Sequence, residues 1–118
     1  MTHLRFFCAL AFVVFNGGAA LAHAIVLGST PRADEVVKGE ETAVEIRFNS
    51  RIDVGRSTLR LFRIDGDAVT LPISDASSED TLKSRATGLT PGKYRLHWQT
   101  LSPDGHIAHG DIFFGVSR

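Results

Sequence analysis

Beyond its first two dozen residues the chain sets apolar side chains at alternate positions, in short runs separated by turn-forming residues. Val44, Ile46 and Phe48 alternate with Glu45 and Arg47, the period of a strand that buries one face and wets the other. Leu59 and Leu61 continue the pattern. Ile64-Asp65-Gly66-Asp67 then supplies a turn whose glycine can take positive φ, so Ala68 to Leu71 reads as the returning arm of a hairpin. Asp75 to Asp80 is polar and loop-like and precedes a weak strand from Thr81 to Ala86. Tyr94, Leu96 and Trp98 face inward with Arg95, His97 and Gln99 on the opposite side, and a last strand carries Ile112, Phe114 and Val116 on one face and Phe113 on the other. The i, i+3, i+4, i+7 spacing of a long amphipathic helix occurs nowhere in this stretch.

The first strand is expected to hold Ile25 and Leu27 in alternation and to stop at Ser29-Thr30-Pro31, where proline fixes φ and withholds a ladder donor. Leu89-Thr90-Pro91-Gly92-Lys93-Tyr94 resembles a tyrosine corner, in which a tyrosine hydroxyl bonds back to the backbone just upstream. About seven strands at this spacing predict an all-β chain, a single immunoglobulin-like Greek-key β-sandwich. Function then belongs to the loops and terminus at one end of the sheets.

The residues ahead of that pattern are of a different kind. Arg5 gives a positive start, Phe6 to Phe15 is an unbroken apolar run, and Ala20-Leu21-Ala22 fits the small-x-small rule of a secretory cleavage site. The run is shorter than the roughly 18 apolar residues that a membrane helix needs, so residues 1–22 read as a cleaved signal and residues 23–118 as one exported domain with no membrane insertion. Removing the first 22 of the 118 residues leaves 96, enough for one modest core. Ala22-His23-Ala24 satisfies the same rule, so the pattern alone also admits a cut after Ala24. The one cysteine, Cys8, and the one methionine, Met1, leave with the signal, so the exported chain has no sulfur ligand and no disulfide. Losing Arg5 leaves 12 basic against 13 acidic residues with no basic run, which argues against nucleic acid as a partner.

A cut after Ala22 makes His23 the first residue, with a free α-amine and an imidazole that can chelate one metal ion. Asp104 and His106 lie two apart with only Gly105 between, so an extended backbone would project both to one side. His23, Asp104 and His106 together offer three nitrogens and one carboxylate oxygen, a set suited to tetragonal copper(II), while zinc is served by the same imidazoles and carboxylate. Copper(I) favours thiolates and thioethers, which the exported chain lacks. His97 reads as a surface strand residue and His109 as an exposed loop histidine, with assistance to the site open to either. No Gly-x-Ser-x-Gly elbow, calcium loop or phosphate cradle is present, and no catalytic residues are assigned.

An ordered set of residues carries a resemblance: His23-Ala24, Ser29-Thr30-Pro31, Phe48, Leu89-Thr90-Pro91-Gly92-Lys93-Tyr94, Trp98, Ser102-Pro103-Asp104-Gly105-His106, Gly110 and Phe114. In these the chain resembles the CopC family of periplasmic copper-binding proteins over essentially all of its exported length. The resemblance implies a cupredoxin-like or immunoglobulin-like sandwich that holds one copper(II) ion through His23, Asp104 and His106. It favours the cut after Ala22 and a periplasmic carrier or buffer in copper resistance or homeostasis, and it suggests an inner-membrane copper transporter as partner. Two departures bear on the transfer: the methionine-rich copper(I) segment of many relatives is absent, and Phe48-Asn49-Ser50-Arg51 stands where relatives often show Phe-Ser-Glu-Pro.

Two other classes compete. A terminal-histidine copper site can activate oxygen in an oxidative enzyme, but here a carboxylate fills a coordination position and no broad aromatic platform for a polymer is evident. A metal-free structural sandwich would bind no copper tightly.

Overall fold

The computed structural model describes residues 24–118. The signal segment and His23 lie outside the described residues. Eight strands run in chain order: β1 (Val26–Thr30), β2 (Val36–Lys38), β3 (Thr42–Phe48), β4 (Thr58–Arg63), β5 (Ala68–Leu71), β6 (Thr81–Ala86), β7 (Gly92–Leu101) and β8 (Ile107–Ser117). They form a three-stranded sheet ordered β1-β3-β6 and a five-stranded sheet ordered β2-β8-β7-β4-β5. A 3-10 turn at Val54–Arg56 links β3 to β4 across the two sheets.

The alternating residues become the core. Val44, Ile46 and Phe48 from one sheet meet Leu59, Leu61, Leu96, Trp98, Ile112, Phe114 and Val116 from the other, all buried, while Glu45 and Arg47 remain exposed. Such burial is worth roughly 1.5–3 kcal/mol per large side chain before conformational entropy is charged against it. Near one end Phe48 meets Trp98 edge to face, with ring centres 5.0 Å apart. Near the other, Tyr94 lies on Phe114 at 5.5 Å and makes the expected corner: its hydroxyl donates to the Thr90 carbonyl at 2.9 Å and accepts from the Thr90 N–H at 3.0 Å.

The sandwich of about seven strands is borne out, with eight among the described residues; the added one is β2, three residues paired in parallel with β8 and too short to display a period. One expectation is corrected. In β1 the inward set is not Ile25 and Leu27, which are 57% and 54% exposed; Ala24 and Val26 pack on the core instead. Residues 24–27 are all apolar, so two alternating sets are available, and a one-residue choice of register exchanges them. Pairing decides it: Val26 stands opposite Phe48, with an irregularity between Val26 and Gly28.

Candidate metal centre

β7 and β8 pair over ten positions up to Leu101 opposite Ile107, and Ser102 to His106 closes the hairpin. Ser102-Pro103-Asp104-Gly105 has the residues that a type I turn favours, with serine opening it, proline second and glycine fourth. The Gly105 N–H donates to the Ser102 carbonyl at 2.9 Å, and Gly105 takes φ +94°, which glycine tolerates best. The Ser102 N–H then donates to the His106 carbonyl at 2.8 Å, and the His106 N–H to Ser102 Oγ at 3.0 Å.

This turn brings Asp104 and His106 together by a route different from the expected one. The backbone there is folded, not extended, yet His106 Nδ1 stands 3.0 Å from Asp104 Oδ1. Two atoms that occupy neighbouring positions on one ion, each at about 2 Å, are separated by roughly 2.8–3.3 Å, so the spacing suits a shared metal. Both side chains are exposed, at 67% for Asp104 and 55% for His106. Ser102 Oγ also donates to Asp104 Oδ1. The Ser102 hydroxyl first and the His106 ring second hold the Asp104 carboxyl down at about 2. A carboxylate held anionic on an exposed turn is a fit ligand for a hard or borderline cation.

The start of the described chain lies at the same end. The Ile25 N–H donates to Asn49 Oδ1 at 2.8 Å, and the Asn49 N–H returns to the Ile25 carbonyl at 2.9 Å. The segment after Asn49 is tied in turn to the hairpin, since the Asp53 N–H donates to the Leu101 carbonyl at 2.7 Å. Asn49 and Ser102 are the two residues whose roles the sequence reading missed. An Asn ending a strand and a Ser opening a turn were the available signals, but each is common enough to pass as ordinary loop chemistry.

His97 and His109 do not join this pair. His97 lies on the outer face of β7, with Nδ1 2.8 Å from Asp111 Oδ1. His109 is exposed as expected but belongs to β8, opposite Gln99, and not to a loop. The ladder runs closer to the turn than the polar sequence suggested. Among the described residues no three His, Cys, Asp or Glu side chains converge on one metal-sized position; Asp104 and His106 stand together as a pair.

Comparison with known proteins bears on the family and the fold. A CopC domain model matches residues 26–117. The chain is 28% identical over 113 residues to the copper transport protein CutJ of Bacillus subtilis, an alignment that covers 92% of this chain but only about a fifth (21%) of that longer protein. Its fold superposes on the crystal structure of CopC from Methylosinus trichosporium OB3b with a TM-score of 0.71 at 26% identity, covering 80% of this chain and 94% of that one. The fold is also that of PcoC, a methionine-rich copper resistance protein from Escherichia coli, with a TM-score of 0.62 at 24% identity and coverage of 81% and 100%. With the family model spanning nearly every strand of the sandwich, the chain belongs to the CopC domain family.

Proposed function

We propose that this protein is a periplasmic copper(II) carrier or buffer in copper homeostasis or resistance, holding one tightly bound copper(II) ion. The ligands in this reading are the α-amine and imidazole of His23, the Asp104 carboxylate and the His106 imidazole. The observation that carries it is the Asp104–His106 pair, 3.0 Å apart on a turn of a CopC domain. The anchoring of Ile25 by Asn49 supports the approach of His23, because the chain enters the fold at the hairpin's end.

The sequence after position 8 holds no cysteine and none after position 1 holds a methionine, which supports copper(II) and argues against a methionine-rich copper(I) site. In this reading residues 1–22 are removed as a secretory signal and residues 23–118 form the exported domain. The role is carriage and not catalysis: the amine, two imidazoles and a carboxylate make a full tetragonal set, which leaves little room for a substrate to be activated. The Bacillus relative named for copper transport contains a segment like this chain within a much longer protein, which supports an inner-membrane copper transporter as partner.

The test is copper(II) titration, followed by electron paramagnetic resonance, of exported protein whose N-terminus has been fixed by intact mass. A chain starting at His23 should bind one ion tightly with nitrogen-rich tetragonal spectra. An exported chain starting at Ile25, or tight binding unchanged by His106→Ala, would sink the reading.

A further inference from the structure

The outer face of the five-stranded sheet brings together two histidines and an aspartate, His97, His109 and Asp111. The β7–β8 register sets His97 directly opposite Asp111 and Gln99 directly opposite His109, so His97 and His109 are diagonal neighbours across the ladder. Diagonal neighbours are ordinarily near the limit of contact, and long or aromatic side chains can close the gap. Here they do: the imidazole centres are 5.7 Å apart, with the rings inclined by 48°.

The hydrogen bonding of His97 determines which nitrogen is free. The Arg95 guanidinium donates to Asp111 Oδ1 at 2.9 Å, so that oxygen is the acceptor in a charge-assisted pair. His97 Nδ1, 2.8 Å from Asp111 Oδ1, must then be the donor. In the neutral ring Nε2 keeps its lone pair, and a carboxylate behind the opposite nitrogen both fixes the ring and raises its basicity toward a metal. Two imidazoles that share one ion at about 2 Å per nitrogen place their ring centres roughly 4.5–5 Å apart. His109 is exposed, so its side chain has room to rotate over the difference of about 1 Å.

We propose that His97 and His109 form a second, weaker site for a divalent first-row metal ion, copper(II) foremost, with Asp111 as the positioning residue. Two imidazoles on neighbouring strands select ions that favour nitrogen, and copper(II) heads the divalent affinity order. Water would complete the coordination. The site is separate from the proposed tight one: His109 lies on β8, three residues beyond His106 of the turn, which places the two roughly 10 Å apart. Its affinity is held down by charge, since Arg95 sits 2.9 Å from Asp111 and Arg60 lies opposite His97 on β4.

The inference goes beyond the proposed tight site and stands or falls separately. Copper(II) chloride is titrated into the full exported protein while the imidazole resonances are followed by nuclear magnetic resonance. The expected result is a first equivalent that broadens His106 and a second that broadens His97 and His109 together. His109→Ala and His97→Asn should each abolish the second equivalent and spare the first, and His106→Ala should do the reverse. Asp111→Asn should weaken the second equivalent about tenfold, with affinity largely restored in Asp111→Glu. A wild-type protein with no second equivalent, or a second equivalent that survives His109→Ala, overturns the proposal. A first equivalent indifferent to His106→Ala overturns the tight site alone.

Discussion

One hairpin carries the same histidine–carboxylate contact twice, and the two copies differ in what else holds the carboxylate. At the turn, His106 Nδ1 and Asp104 Oδ1 are 3.0 Å apart and both side chains are more than half exposed. In the sheet, His97 Nδ1 and Asp111 Oδ1 are 2.8 Å apart with only 26% and 36% of their side chains exposed. Asp104 is otherwise held by a neutral hydroxyl, that of Ser102. Asp111 is held by a guanidinium, that of Arg95. A carboxylate whose other partner is neutral keeps its charge for an arriving cation, whereas one already paired with arginine has largely spent it. The pair on the turn is therefore suited to serve as ligands, and the pair in the sheet to aim a ring.

Replacing each histidine is the hardest test of that distinction. His106→Ala should lower the affinity of the first copper ion on the order of a hundredfold or more, because a direct ligand is worth at least what an outer-shell partner is worth. His97→Ala should leave the first ion within about twofold. Equal losses in the two variants, measured by competition with a copper chelator, would erase the comparison.

Acid should act on nitrogens before carboxylates. Asp104, held at about 2, has a lowered value, so its charge persists as pH falls and disappears only near that value. Release of copper below roughly pH 6 must then follow protons returning to imidazole and α-amine. Asp104→Asn should weaken binding at every pH and so move half-release to higher pH, while leaving the number of protons taken up per copper released unchanged. A proton count that falls in Asp104→Asn would show that the carboxylate also takes up a proton on release.

How far these features could be read from sequence follows from where each is determined. The strands β3, β4, β6, β7 and β8 were legible because one face of each is buried and the alternation records it. Tyr94 was legible because its corner is local, spanning four residues. β2 and the facing of β1 were not, since three residues show no period and Ala24 to Leu27 are uniformly apolar. Asp104 and His106 were found as a spacing, but the reason they meet, a turn fixed by Ser102 and Gly105, is hydrogen-bond geometry that spacing does not encode. The contact between His97 and Asp111 depends on a register across 14 residues, which no local pattern announces.

Both pairs depend on one frame, the β7–β8 ladder, and Gly110 tests it. A Cβ at Gly110 would lie 2.7 Å from Trp98 Cζ2, because the indole rests against the bare backbone of the opposite strand. Gly110→Ala should cost about 1–3 kcal/mol in urea unfolding as the ring is displaced. Displacement on this ladder should weaken both copper ions together; a loss confined to one would mean that the pairs do not share their support. Smaller still is the effect of Arg95→Gln, which frees Asp111 from its guanidinium. It should strengthen the second ion a few fold and leave the first unchanged, narrowing the gap between the pairs.

The smallest effect concerns stability in acid without metal. Asp111 has a lowered folded-state value, so its pairing with His97 and Arg95 stabilises the fold above the unfolded carboxylate range, near 4, and that contribution is lost as pH falls through the folded value. More than a third of its side chain is exposed, and solvent screening limits such a pair to a few tenths of a kcal/mol and at most about 1. Asp111→Asn should therefore lower stability slightly at pH 7, and the difference from the parent should shrink as pH falls through the folded-state value. Asp104→Asn should show a still smaller change at pH 7, because its side chain is 67% exposed and its contacts with Ser102 and His106 are screened by solvent, while the backbone bonds from Gly105 to Ser102 and from Ser102 to His106 do not involve its carboxylate. If urea midpoints instead fell more for Asp104→Asn than for Asp111→Asn, the turn carboxylate would be serving the fold, and the division of labour between the two pairs would be reversed.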